Sequence, residues 1–193
     1  MKIIKLAVIF DQPVSIGGGY QQSLNSALLA KKLPSHIVDV IFFTTLKANV
    51  RALASHGIDA IYINIPLLSK IVVFIRSIGI HLSCFPLLKL IRTYSFFERA
   101  LNRHNIDLVY FLSPSSLALH LTRLNYIITI WDLCHLDEPE FPEVRDNYEI
   151  EIREKNYKIL VSRATAVLVD SMFSKNNISL RYGIQLHKVY VLP

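Results

Sequence analysis

Short apolar segments alternate with amphipathic segments along the whole of this 193-residue chain. The first apolar segment, residues 3–10, is almost free of polar side chains, as in a strand buried on both faces of a parallel sheet. A helical pattern follows over residues 20–32, and a second apolar segment over residues 37–45. Repeated strand–helix units of this kind build parallel strands joined by crossover helices. The sequence therefore predicts an α/β fold: a single Rossmann-like domain over residues 1–193, with a mostly parallel sheet and helices on both faces.

The same alternation continues to the end of the chain. Further strands are predicted over residues 60–63, 106–112, 126–131, 165–169 and 188–192, and helices over residues 46–56, 85–104, 144–162 and 171–182. Ser171 has the residue type of a helix N-cap, and Gly183 is typical of a helix end. The run Ser113-Pro114-Ser115-Ser116 indicates a further short helix with proline in its first turn.

Three consecutive glycines, Gly17, Gly18 and Gly19, lie between the first strand and the first helix. A glycine run at such a junction lets the backbone approach a ligand closely and directs free N–H groups at it. In open α/β sheets, ligands bind just beyond the carboxyl ends of the strands. The glycines are therefore candidate ligand-binding residues in a loop.

Two well-known glycine motifs fit this loop poorly. The dinucleotide fingerprint is G-x-G-x-x-G directly after the strand, whereas residues 11–16 separate the glycines from the strand here and no third spaced glycine follows. The P-loop pattern requires a G-K-S/T ending that this segment lacks. Both nucleotide-binding classes are disfavoured.

A second polar stretch, residues 131–143, leaves the carboxyl end of a predicted strand and should share a sheet edge with the glycines. Asp132 and His135 are its candidate catalytic residues, since both can hydrogen-bond a sugar or transfer a proton. Two structural alternatives remain open. Asp132 could cap its own loop, and His135 could be a partly buried loop histidine.

The chain carries a formal charge of +6, which indicates an anionic partner such as a membrane surface or a phosphorylated ligand. Nucleic acid is disfavoured because no reader motif or dense basic cluster is present. Cys84 and Cys134 show no metal-ligand spacing, so we expect reduced thiols that fill the core of a cytoplasmic protein without a metal. The apolar part of the N-terminal segment is too short for a signal peptide, and no run of about 20 apolar residues predicts a membrane span.

An additional amphipathic insertion is predicted at about residues 66–104. Its first part places apolar residues on one side of a helix, and its second part carries a basic stripe of Lys89, Arg92, Arg99 and Arg103. An apolar face beside a cationic one suits a helix lying on an anionic bilayer at the inner face of the plasma membrane. Packing of the apolar face into the domain core is the open alternative.

Three segments together resemble glycosyltransferase family 4 and its GT-B relatives. They are the strand, glycine run and helix at the start; the run Ile127-Ile128-Thr129-Ile130-Trp131-Asp132-Leu133-Cys134-His135, leading to Pro139-Glu140-Phe141-Pro142; and the C-terminal pattern from Ala164 through Ser171, Gly183 and Lys188-Val189 to Pro193. The resemblance covers essentially the whole chain, which is similar to the N-terminal domain of these enzymes.

The resemblance implies retaining transfer of a sugar from a nucleotide-sugar donor to a lipid-linked or polysaccharide acceptor, as in surface-glycan assembly, with no metal or other cofactor. Gly17–Gly19 would approach the donor phosphates. The family has a histidine that contacts the sugar, followed by an aspartate. Asp132 matches the aspartate, but this chain has Trp131 in place of the histidine, so the sugar-contacting role is not matched.

The resemblance ends where the family enters a second, donor-binding domain. We therefore expect the chain alone to be an acceptor-side domain without appreciable transferase activity. The alternative is a non-catalytic module that associates with a partner chain carrying the donor-binding domain, and an exposed apolar strip at the docking edge would favour it.

Overall fold

The computed structural model describes residues 2–14, 17–67, 95–137 and 149–192, apart from the side chains of His135, Glu149 and Ile152. In these ranges seven strands form one sheet in the order β3-β2-β1-β4-β5-β6-β7, and every neighbouring pair is parallel. The strands are β1 Ile4–Ile9, β2 Val38–Thr44, β3 Ala60–Tyr62, β4 Leu108–Phe111, β5 Asn125–Thr129, β6 Ala166–Val169 and β7 Val189–Val191. The predicted parallel α/β sheet is confirmed.

Helices cover both faces of this sheet, as predicted. The described helices are α1 Gly17–Lys31, α2 Lys47–Ala54, α3 Phe96–Asn102, α4 Cys134–Asp137, α5 Glu149–Arg163 and α6 Met172–Tyr182, with 3-10 turns η1 Ser116–His120 and η2 Leu186–Lys188. Leu24 of α1 and Leu53 of α2 belong to the apolar cluster on one face. Phe97 of α3, Leu160 of α5 and Ile178 of α6 belong to the cluster on the other. The domain thus has three layers around a buried sheet.

The predicted ends of α6 are confirmed in detail. Ser171 Oγ accepts a hydrogen bond from the backbone N–H of Ser174 at 3.1 Å, which satisfies one of the free donors of the first turn. Gly183 follows the helix with φ 65°, a left-handed conformation that glycine adopts without steric cost.

Two predicted boundaries are wrong. The helix expected from residue 20 already begins at Gly17, so the three glycines form its first turn instead of a preceding loop. Of the helix expected over residues 85–104, residues 85–94 lie outside the described residues, and the described helix begins at Phe96, because Ser95 is an extended N-cap with ψ 150° whose side chain accepts a hydrogen bond from Glu98 N. Ser95 and Glu98 have the Ser-x-x-Glu spacing of a helix start, a local signal that competes with the longer apolar pattern.

The basic amphipathic insertion lies mostly outside the described residues, which omit 68–94. In its described part, Phe97 and Leu101 are fully buried in the core, so the apolar face of α3 packs against this domain. Among the described helices, none has the length and apolar character needed to cross a membrane. Cys134 is exposed at the start of α4, so its prediction as a core filler is wrong; Cys84 falls outside the described residues.

Candidate functional site

The strand order reverses direction between β1 and β4. The chain leaves β1 toward β2 and β3 on one side, and leaves β4 toward β5, β6 and β7 on the other, while β1 and β4 pair directly. The loops that follow these two strands therefore diverge and leave a crevice at the carboxyl edge. In open α/β sheets this topological switch point is where ligands bind.

The first polar residues after β1 and β4 meet at this point. Ser113 Oγ donates to Asp11 Oδ1 at 2.7 Å, and Ser115 Oγ donates to Asp11 Oδ2. Ser115 also caps η1 by accepting from Leu117 N at 3.2 Å. The short helix predicted from the Ser113–Ser116 run is present as the 3-10 turn η1, but it begins after Ser115, so Pro114 precedes it and the prediction of proline in its first turn is wrong. The carboxylate of Asp11 ties the start of η1 to the end of β1.

Burial raises the pKa of Asp11, although the hydrogen bonds from Ser115 and Ser113 stabilise the ionised form and offset part of that rise. The next residue is fixed from the other side: Asn49 of α2, which is fully buried, donates from Nδ2 to the carbonyl oxygen of Gln12 at 2.9 Å. Asp11 and Gln12 are thus anchored to two different neighbouring elements, which fixes the backbone of the loop after β1.

A cleft of about 380 Å³ opens above this anchored loop, and we call it the switch-point cleft. Its lining combines two amides, a hydroxyl, a carboxylate, a guanidinium and two aromatic rings with apolar side chains: Gln12, Pro114, Ser116, Trp131, Asp132, Arg153, Asn156, Tyr157 and Leu160. These residues come from the loops after β1, β4 and β5 and from one face of α5. The lining is thus mostly polar, with two aromatic rings, and it suits a polar small molecule that can share several hydrogen bonds.

Trp131 packs directly against the glycine turn. A Cβ atom on Gly19 would lie 3.0 Å from Trp131 Cζ3 and 3.2 Å from Trp131 Cη2, closer than ordinary van der Waals contact. Gly17 and Gly18 face open space, with no atom within 4 Å of such a Cβ. The glycines therefore differ: Gly19 makes room for the indole, whereas a side chain at Gly17 or Gly18 would meet no described atom within 4 Å.

Asp132 lines the cleft and also caps its own loop. Its Oδ1 accepts a hydrogen bond from Cys134 N at 3.0 Å, which is the structural alternative considered from the sequence. Burial and the nearby Asp132 carboxylate raise the pKa of Tyr157, so that phenol stays protonated. The side chain of His135 lies outside the described residues, and its role stays a prediction.

The sequence reasoning missed most of this lining. Arg153 and Asn156 lie three residues apart on α5 and line the cleft. The sequence pattern of charged pairs on this helix predicts that such residues face the solvent, so they were not recognised as site residues. Asp11 and Gln12 had a usable signal, since they are the first polar residues beyond the strand that starts the fold. Within the described ranges, no three His, Cys, Asp or Glu side chains come together in a way that could hold a metal ion.

The stability of the domain should depend on the ionisation of Asp11. Because burial raises its folded-state pKa above the unfolded value of about 3.9, the folded state binds the proton more readily. The wild type should therefore gain stability relative to Asp11→Asn as the pH falls through the folded pKa. Urea unfolding of both proteins between pH 7 and pH 4 measures the difference, in which the other carboxylates cancel. A difference that stays constant over this range would contradict the assignment.

Fold and site together define a Rossmann-like α/β domain with a cleft at its switch point, which is a candidate ligand site. No family model and no curated protein matches the sequence. Among solved structures, the chain is similar to a glycosyltransferase from Rickettsia africae ESF-5, with a TM-score of 0.46 and 16% identity over 99% of this chain and 43% of that one.

Two further solved structures are similar at the same level. The apo form of the lipopolysaccharide outer core galactosyltransferase WaaB gives a TM-score of 0.48 and 14% identity, covering 97% of this chain and 45% of that one. The glycotransferase of kitacinnamycin gives 0.41 and 11%, covering 87% and 46%. The chain spans less than half the length of each of these three proteins.

Proposed function

We propose that this chain is the acceptor-side, Rossmann-like domain of a GT-B glycosyltransferase, and that the switch-point cleft binds part of the sugar substrate. The observation that carries the proposal is the meeting of Trp131, Asp132 and the glycine turn of α1 at one sheet edge, beside a cleft of about 380 Å³. The glycine turn and Asp132 lie in two of the three segments on which the sequence resembles glycosyltransferase family 4, whereas Trp131 stands where the family has a histidine.

The chemistry of the cleft suits a sugar that carries a phosphate. Amide, hydroxyl and carboxylate groups can share hydrogen bonds with sugar hydroxyls, and an indole offers an apolar face to the C–H side of a pyranose ring. Arg153 supplies positive charge at the cleft. The first turn of α1 is made of glycines without side chains, and the backbone N–H groups of a helix N-terminus favour a phosphate.

The finer parts of the proposal follow the family resemblance. We propose retaining transfer from a nucleotide sugar to a lipid-linked or polysaccharide acceptor, with Asp132 and His135 near the reacting centre and without a metal. A cleft with one wall exposes the donor to water, so we expect no measurable transfer by this chain alone.

Ligand binding can be measured directly because Trp131 is the single tryptophan of the chain. Because this chain would supply only one wall of the donor site, we expect nucleotide sugars such as UDP-galactose, UDP-glucose and GDP-mannose to bind the purified chain weakly and to change its tryptophan fluorescence at millimolar concentrations. Asn156→Leu should weaken the affinity for the nucleotide sugar roughly five- to tenfold, about 1–1.4 kcal/mol, by removing a polar contact from the cleft. Asn176→Leu, at an exposed position of α6 that does not line the cleft, is the matched control.

Two results would overturn the proposal. One is a fluorescence response to none of the nucleotide sugars, confirmed by isothermal titration. The other is a response that Asn156→Leu and Asn176→Leu leave equally intact. Release of sugar from the donor by the purified chain, with no other protein present, would contradict the expected inactivity.

A second candidate is a non-catalytic module that associates with a partner chain carrying the donor-binding domain. The observation in its favour is exposed apolar surface at the same sheet edge: Met172 and Phe173, directly after β6, are 60% and 70% exposed. Two adjacent large apolar side chains exposed together form a patch, and exposed apolar patches can mark a protein-protein docking surface. Co-purification of a separate nucleotide-sugar-binding chain would favour the module, provided that Phe173→Ser abolishes it.

A further inference from the structure

The helical layer is incomplete on one face of the sheet. On the face that carries α1 and α2, the buried cluster is built from β1, β2 and β4, while Ile127 of β5 and Leu168 of β6 are only partly covered. On the same face, Tyr190 of β7 is 54% exposed. Between α1 and this open part of the sheet lies a cavity of about 180 Å³, which we call the α1 groove.

The floor of the α1 groove is made of buried hydroxyls. Tyr110 Oη and Thr129 Oγ1 lie 3.1 Å apart in a hydrogen bond, and each residue is only 9% exposed. Burial raises the pKa of Tyr110, and hydrogen bonds from Thr129 and Ser26 offset that rise in part. Strands β4 and β5 and helix α1 thus bring three neutral hydroxyls to one place, where each can accept or donate a further hydrogen bond.

The walls combine apolar surface with two amides and one carboxylate. Gln22 and Asn25 project from the exposed side of α1, and the carboxylate of Asp170 lies across from them. Leu29 and Leu192 are about half exposed and supply apolar surface. Trp131 completes the lining, and the same residue also lines the switch-point cleft.

The charge of the α1 groove distinguishes it from the switch-point cleft. None of the described residues that line it is lysine or arginine, and Asp170 contributes a negative charge, although the chain as a whole carries +6. Such a lining disfavours phosphates and carboxylates, which need cationic partners when desolvated. Hydroxyls, amides and one carboxylate around an aromatic and aliphatic wall instead match an uncharged ligand with many hydroxyl groups.

We propose that the α1 groove binds a single neutral monosaccharide unit, at a site separate from the switch-point cleft. The sugar hydroxyls would bond to the Tyr110–Thr129 pair and to the amides of Gln22 and Asn25, while its C–H face packs on Trp131 and the leucines. Because Trp131 is shared, a sugar in the groove lies next to any ligand in the cleft. The proposal concerns binding only, and it does not require the cleft to be occupied.

The test uses neutral probes and the full chain. Methyl glycosides of glucose, galactose, mannose and N-acetylglucosamine are titrated while the fluorescence of Trp131 and saturation-transfer NMR of the glycoside are recorded. We expect at least one glycoside to bind, and Asn25→Leu to weaken it roughly three- to tenfold through the loss of one or two hydrogen bonds and of space. Thr129→Val, which keeps the shape of the side chain, should weaken it to a similar extent.

Two variants provide the comparison. Asn176→Leu, on the exposed side of α6, should leave glycoside binding unchanged, and circular dichroism and the midpoint of urea unfolding confirm that each variant is folded. Asn156→Leu should weaken nucleotide sugars without affecting glycosides. The proposal is overturned if no glycoside binds, or if Asn156→Leu weakens glycoside binding while Asn25→Leu does not. The second outcome would show that the glycoside binds in the switch-point cleft and not in the α1 groove.

Discussion

Replacing Glu98 with alanine should lower the free energy of unfolding by about 3–5 kcal/mol. Glu98 is fully buried at the start of α3. Its Oε1 accepts from the backbone N–H groups of Thr122, Arg123 and Leu124 at 2.9, 2.7 and 2.9 Å, and its Oε2 accepts from Thr122 Oγ1 at 2.6 Å. Alanine would leave these donors without an acceptor. These donors belong to the turn that leads into β5, so their loss of an acceptor would also destabilise the sheet.

The pH dependence gives a second readout of the same interaction. Desolvation acts to raise the pKa of Glu98, but the hydrogen bonds from Thr122, Leu124 and Arg123 outweigh it, so the folded-state pKa is lowered. The stabilisation is therefore complete above the unfolded pKa of about 4.3 and is lost as the pH falls through the folded pKa. The wild type should lose stability on acidification over this range, and Glu98→Ala should lose less.

Urea unfolding followed by circular dichroism measures both effects. The free energy of unfolding of Glu98→Gln should lie between those of the wild type and Glu98→Ala. The amide keeps one acceptor oxygen, but its NH₂ group would face N–H and O–H donors. Glu151→Ala, at an exposed position of α5, is the surface control and should change the free energy by less than about 0.5 kcal/mol. Equal midpoints for Glu98→Ala and Glu151→Ala would show that the buried carboxylate contributes little.

Glu98 also shows where sequence reasoning reaches its limit for this fold. The parallel sheet, the helix ends at Ser171 and Gly183, and most strand positions follow from local patterns that each segment carries by itself. A glutamate on a helix is assigned to solvent by the same patterns. Its partners lie 24 to 26 residues further along the chain, and only the folded arrangement brings them to it.

In the candidate site, too, some features could be predicted from the sequence and others could not. Gly17–Gly19, Trp131 and Asp132 were placed at one sheet edge because strand direction alone fixes where the loops emerge. The contact between Trp131 and Gly19 was not predictable, since it depends on the rotamer of one side chain and on where α1 begins. The pairing of Asp11 with Ser113 likewise requires knowing that β1 and β4 are neighbours, which follows from topology and not from spacing.

Alanine substitutions along the glycine turn should therefore have opposite effects at neighbouring positions. Gly17→Ala and Gly18→Ala should each stabilise the domain by about 0.5 kcal/mol, because alanine costs less conformational entropy than glycine in a helix and the space there is open. Gly19→Ala should instead destabilise it by about 1–3 kcal/mol relative to Gly18→Ala, since its methyl group would displace the indole of Trp131. Urea unfolding measures all three.

The fluorescence of Trp131 separates packing from ligand binding in this series. Gly19→Ala should shift the emission of the free protein, while Gly17→Ala and Gly18→Ala should leave it unchanged. If a phosphate of the donor approaches the first turn of α1, the two stabilising variants should nevertheless weaken nucleotide-sugar binding, because their methyl groups occupy the open space. A helix that becomes more stable and binds less well would show that Gly17 and Gly18 are present for the ligand. Unchanged binding in both variants would restrict the role of the turn to making room for Trp131.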